Sequence, residues 1–172
     1  MTTTDTPEYL FMERLITQSF PIDEYRDLHE LRRISENNPN FYNNVVYDGD
    51  RLVGIITYWD LGKFYYVEHF AVDPEMRNGG YGMSIMATLL STMQLPVVLE
   101  VERPTEEMAK RRIGFYQRCG FTLWNQDYVQ PPYRAGGNPV DLLLMVHGAL
   151  DEIQDFDHIK KKIHKEVYNY EE

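Results

Sequence analysis

The stretch VDPEMRNGGYGMSIMATLL, from Val72 to Leu90, passes from an apolar residue through a proline, an arginine and three glycines into a patterned helix. A helix start leaves backbone N–H groups unpaired and carries the positive end of the helix dipole. Glycines let a ligand approach those groups closely, and the combination makes an anion site. Arg77, Gly80 and Gly82 spell R-x-x-G-x-G, and Arg77 adds charge-assisted hydrogen bonds. The helix is expected from about Tyr81 to Met93, with Met86, Leu89, Leu90 and Met93 as its core stripe.

Upstream, EYLFMERLITQSF reads as a helix stopped by Pro21. IDEYRDLHELRRISEN reads as a second, with Tyr25, Leu28, Leu31 and Ile34 on one stripe. The period then changes to two. NNVVYDGDRLVGIITYWD predicts two strands joined by a tight turn, and FYYVEHFAV predicts a third. Downstream, LPVVLEVE is a strand buried on both faces. PTEEMAKRRIGFYQRC is a helix starting near Pro104 and Thr105, with Gly120 just past its end. GFTLWNQDYV and VDLLLMVHG are strands around the loop QPPYRAGGNP, and residues 149–170 form an amphipathic C-terminal helix. Residues 1–8 are expected to be loose. The order predicts a single α/β domain over 1–172 with a mixed, mostly antiparallel central sheet flanked by helices.

Several loop classes compete for the glycine stretch. A P-loop needs G-x-x-x-x-G-K-[ST], and no Lys-Ser/Thr pair follows. A dinucleotide fingerprint needs G-x-G-x-x-G after the first strand of a βαβ unit, and neither spacing nor position fits. A pyrophosphate loop and a plain turn remain. About 35 residues on, RRIGFYQRCGF ends a helix in F-Y-x-x-x-G-F. The two motifs, in this order with a strand between them, resemble the GNAT superfamily of N-acetyltransferases over roughly Val45 to Val146. Two departures stand out. The usual first strand has only MTTTDTPEY to form it, and EEMAKRRIGFY lacks the Asn that many members place before the tyrosine, where Arg111 or Arg112 would have to substitute.

The resemblance implies a sheet splayed at the coenzyme-binding strands and acetyl-CoA as co-substrate. Asn78, Gly79, Gly80, Tyr81, Gly82 and Met83 would hold its pyrophosphate with Arg77. Phe70, Ala71 and Val72 would pair with the pantetheine arm, and the Val72 N–H would face the thioester oxygen. Tyr116 matches the family's general acid. Two glutamates compete as the base. Glu68 lies on the arm-carrying strand, where alternation puts it on the face of Phe70 and Val72 and His69 on the other. Glu100 matches a family glutamate, inside a strand of Val and Leu where a carboxylate needs a partner. The acceptor is a primary amine, either a small molecule or a protein N-terminus, entering opposite the coenzyme. The first two helices and the loop with Tyr128, Tyr133 and Arg134 would form its walls, with Tyr58 and Trp59 nearby. Transfer would be direct, in a ternary complex. The rival reading is a non-catalytic acyl-CoA sensor of the same fold, and family habit allows a homodimer.

The bulk numbers agree. A net charge of −10 argues against nucleic acid. Cys119, the single cysteine, fits a reducing compartment. The five histidines form no metal-ligand spacing. The N-terminus has no signal-peptide pattern, and no apolar run approaches a membrane span. The expected location is the cytoplasm.

Overall fold

A computed structural model describes residues 1–171. Seven strands form one open sheet: β1 Phe41–Asp48, β2 Arg51–Asp60, β3 Tyr65–Val72, β4 Val97–Glu102, β5 Thr122–Leu123, β6 Tyr128–Gln130 and β7 Val140–His147. Their spatial order is β1-β2-β3-β4-β7-β5, with β6 also on β7. Every pairing is antiparallel except β3 with β4. The helices are α1 Pro7–Ser19, α2 Leu28–Asn37, α3 Tyr81–Thr92, α4 Glu107–Arg118 and α5 Glu152–Glu166.

Strand alternation divides the core in two. On one face Val98, Leu142, Leu144 and Val146 pack with Met12, Leu15 and Ile16 of α1, Leu31 and Ile34 of α2, and Phe156, Ile159 and Ile163 of α5. On the other, Val97, Leu99, Val101, Leu143 and Met145 pack with Met86 of α3 and Ile113 and Tyr116 of α4. Leu89, Leu90 and Met93 support the second cluster as the stripe predicts, only partly buried.

Several expectations need correction. The second helix does not begin at Ile22. Residues Ile22–Glu24 make a short 3-10 turn, and α2 starts at Leu28, where the Asp27 side chain accepts the His29 N–H. α4 starts at Glu107, after a turn at Pro104 and Thr105. The segment GFTLWNQDYV is broken, because Asn125 and Gln126 donate their N–H groups to the Glu152 carboxylate instead of a strand. The leading segment is tied down: the Met1 ammonium donates to the Asn43 carbonyl at 2.8 Å, and Thr4 is buried and donates to Glu36. Among the described residues no strand precedes α1.

Two features of β3 determine the geometry around it. Its parallel pairing with β4 covers only Tyr65 to Val67 against Val97 to Leu99, and beyond that the two strands part. It also carries a bulge. Thr57 pairs with His69 and Tyr58 with Val67, so Glu68 has no partner on β2. The parity of the strand therefore changes: Tyr66 and Ala71 belong to one core, Val67 and Phe70 to the other.

The Asp151 carboxylate caps α5, accepting the N–H groups of Ile153 and Gln154 at 3.0 Å each. Asp151→Ala should cost about 1 kcal/mol and lower the melting temperature by roughly 2–4 °C in calorimetry.

Candidate active site

The glycine loop is organised to leave its amides free. Asp73 accepts the Glu75 N–H at 3.0 Å and an Arg14 N–H at 3.2 Å, fixing the turn after β3. Asn78 and Gly80 adopt positive φ, 71° and 75°. Gly80 caps α3 with no side chain. The Tyr81 ring lies against Gly79 and donates its hydroxyl to Asp48 at 2.6 Å. Among the described residues none accepts a hydrogen bond from the amides of Asn78 to Met83. A Cβ at Gly82 would sit 3.3 Å from the Phe115 ring, so this glycine lets α3 pack against α4.

The end of β3 is equally open. The Asp73 N–H donates to the Val53 carbonyl at 2.9 Å. In an antiparallel ladder N–H groups alternate in direction, so the amides of Phe70 and Val72 face away from β2, toward the space that β4 has left. Arg77 reaches back to the Val72 carbonyl at 3.4 Å.

That space is a cleft of about 210 Å³. Phe70, Ala71, Val72, Arg77 and Tyr116 line it together with Phe20, Glu24, Gln130, Tyr133, Glu68 and Glu100. Tyr116 packs edge-on against Phe115 and Phe121. Burial pushes its hydroxyl up to about 12, so it stays protonated at neutral pH. Of the two arginines considered as substitutes for the missing Asn, Arg112 lines the same cleft and pairs with Glu102 at 3.1 Å, whereas Arg111 does not line it.

The bulge overturns the expected placement of Glu68. It does not share a face with Phe70; it points with His69 toward α1 and α2. There it forms an ion pair with the buried Arg26 and accepts Trp59 Nε1–H at 2.9 Å and the Tyr133 hydroxyl at 2.8 Å. Arg26 lies over the Trp59 and Tyr133 rings. Burial pushes the Glu68 carboxyl up, but Arg26, His69 and the hydrogen bonds from Arg26 and Trp59 together hold it below the usual range. His69, expected on the opposite face, packs on this one: its Nε2 meets the Glu24 carbonyl at 2.9 Å, and burial lowers its proton affinity. Tyr58 turns to the opposite face and stacks on Tyr42.

Glu100 sits on the same face as Glu68 without a cation. Its oxygens accept the hydroxyls of Tyr128 and Tyr168, the latter at 2.8 Å. Burial raises its carboxyl to about 7 against these hydrogen bonds and that of Tyr66. The loop residues foreseen as walls are therefore bound to carboxylates, and Arg134 instead donates to the Ile22 carbonyl and covers Tyr25. Sequence reasoning missed Arg26, Tyr66, Gln130 and Tyr168. Only Tyr168 left a trace, because Phe156, Ile159, Ile163 and Val167 continue one helical stripe up to it.

The family model for the GNAT acetyltransferases matches residues 8–121. The chain belongs to the GNAT family. A GNAT-family acetyltransferase from Bacteroides thetaiotaomicron is 53% identical, with a TM-score of 0.96 over 99% of this chain and 97% of that one. The spermidine N-acetyltransferase of Vibrio cholerae, in complex with CoA and spermine, shares the fold at 18% identity, with a TM-score of 0.53 over 71% of this chain and 75% of that one. No curated protein matches the sequence. The protein is thus an N-acetyltransferase of the GNAT family. Among the described residues no helix is long and apolar enough to cross a membrane, and no His/Cys/Asp/Glu group is placed to hold a metal ion.

Glu100 predicts a pH signature of stability. Its folded proton affinity is raised, so between about pH 4.5 and about pH 7 the unfolded chain loses this proton while the folded one keeps it. Stability falls as pH rises through that window, by up to about 3 kcal/mol. Melting curves from about pH 5 to about pH 8 should show Glu100→Gln gaining several degrees on the wild type. Parallel curves would contradict the assignment. Arg26→Met should instead destabilise by roughly 3–5 kcal/mol at neutral pH, because it strands a buried carboxylate.

Proposed function

We propose that the enzyme moves the acetyl group of acetyl-CoA to a primary amine by direct transfer in a ternary complex. The observation that carries this reading is the common cleft into which the free end of β3, Glu100 and Tyr116 all open. The free amides from Asn78 to Met83, with Arg77, bind the pyrophosphate. Phe70 to Val72 offer their outward groups to the pantetheine arm as a neighbouring strand would, and the Val72 N–H stabilises the oxyanion of the tetrahedral intermediate.

An alkylammonium is no nucleophile and must first lose a proton. Glu100 takes the base role. Its carboxyl, held near 7, matches the ideal for a base working at neutral pH. Glu68 suits the role less, because Arg26 keeps it ionised and engaged. The amine then attacks the thioester carbon and forms the C–N bond. As the C–S bond breaks, the Tyr116 hydroxyl gives its proton to the leaving sulfur.

The cleft favours a cationic acceptor. Glu24, Glu68, Glu100 and Glu102 face it against Arg77 and Arg112, within a chain of net charge −10. The CoA and spermine bound by the Vibrio cholerae enzyme support the same two ligand classes. A small amine in the cytoplasm is the acceptor we favour over a protein N-terminus.

The test is CoA thiol release across a panel of amines, with Tyr116→Phe, Glu68→Gln and Glu100→Gln beside the wild type. Turnover on one amine class is expected, with kcat lowered by roughly 100-fold in Glu100→Gln and roughly 10-fold or more in Tyr116→Phe, at unchanged affinity for acetyl-CoA. Tight acetyl-CoA binding without turnover on any amine would favour a sensor, and absence of binding would overturn the reading.

A further inference from the structure

Glu100 is held by three tyrosines that come from three separate elements. β3 contributes Tyr66, β6 contributes Tyr128, and the turn after α5 contributes Tyr168. That turn lies beyond residues 8–121, the part of the chain matching the GNAT model. Tyr168 is buried and does not line the cleft. Its ring packs on Tyr133 at 4.7 Å and edge-on to His164 at 6.5 Å. Its hydroxyl donates to Glu100 Oε2 at 2.8 Å and meets the Tyr66 hydroxyl at 3.0 Å. The preceding residue is anchored to the other carboxylate: the Val167 carbonyl accepts two N–H groups of Arg26, each at 3.3 Å, and Arg26 holds Glu68.

We propose that Tyr168 is a positioning residue for acetyl transfer, whose hydroxyl orients the Glu100 carboxylate and sets how readily it accepts the amine's proton. The inference rests on Glu100 being the base. The groups facing Glu100 are Tyr66 and Glu68 of β3, Tyr128 of β6, Tyr133 of the following loop and Tyr168, with Arg26 behind Glu68 and His164 behind Tyr128 and Tyr168. Among the described residues no cation touches the carboxylate directly, so its ionised form depends on donated hydroxyls. Tyr128 serves one oxygen and Tyr168 the other. Removing the Tyr168 hydroxyl takes away a donor that favours the charged form, while the ring keeps its packing. Catalysis needs Glu100 ionised, so activity rises with pH through its titration. Loss of the donor moves that rise to higher pH.

The experiment is the pH profile of kcat/KM for Tyr168→Phe against the wild type, using acetyl-CoA and the best amine of the panel. The acid limb should move up by about one pH unit, with the plateau reduced several-fold and the KM for acetyl-CoA unchanged. A limb that stays in place in a folded variant overturns the proposal. Site-specific 3-fluorotyrosine at position 168, a stronger donor, should move the limb the other way, and it tests the idea even if Tyr168→Phe fails to fold. Carbon-13 NMR titration of the glutamate carboxyls, with the Glu100 signal assigned by its loss in Glu100→Gln, reads the shift without turnover. If Glu100→Gln keeps full activity, the base reading fails. If Glu100→Gln is inactive but the Tyr168→Phe titration matches the wild type, only the role of Tyr168 fails.

Discussion

A carboxylate buried in a sheet must find donors or lose its charge, and two such carboxylates organise this molecule. Glu68 is satisfied by a cation, Glu100 by hydroxyls. Arg26 comes from the link between α1 and α2, Trp59 from β2, Tyr133 from the loop before β7, and Tyr168 from the turn after α5. These contacts draw distant parts of the chain over one end of the sheet, where β3 and β4 have separated. Where β3 has left β4, the amides of Phe70 and Val72 face the cleft, and among the described residues none accepts a hydrogen bond from the glycine-loop amides of Asn78 to Met83.

The two carboxylates differ by partner, and their chemistry differs accordingly. A guanidinium keeps Glu68 ionised and occupied, which suits a structural brace. Phenols stabilise a carboxylate less than a cation does, so burial wins at Glu100 and its proton affinity rises into the neutral range. One strand face thus carries a fixed charge next to a titrating one. The proposed roles of base and brace rest on this difference in environment.

Much of this was legible in the sequence. Alternation found the strands, and the glycine loop stood out because amide-lined anion sites require that composition. Tyr116 and Glu100 were visible through motif and through the oddity of a carboxylate among Val and Leu. The facing of Glu68 was not, because a bulge inserts one residue and reverses parity without a compositional signature. Arg26 was hidden inside a segment read as continuous helix; it lies between the 3-10 turn and α2, where its side chain meets Glu68 and the Val167 carbonyl. The Glu152 carboxylate likewise broke a strand that looked intact, by taking the amides of Asn125 and Gln126.

The turn at Val167 and Tyr168 has a consequence for biosynthesis. A chain emerges from the ribosome from its N-terminus, so the strands carrying Glu68 and Glu100 are complete long before the residues that finish their surroundings. Until Val167 and Tyr168 emerge, Arg26 lacks its carbonyl acceptor and one Glu100 oxygen lacks its donor. The surroundings of both carboxylates are therefore completed only after the strands that carry them have been made. A chain that ended short of this turn would carry every motif of the family and still lack a finished site.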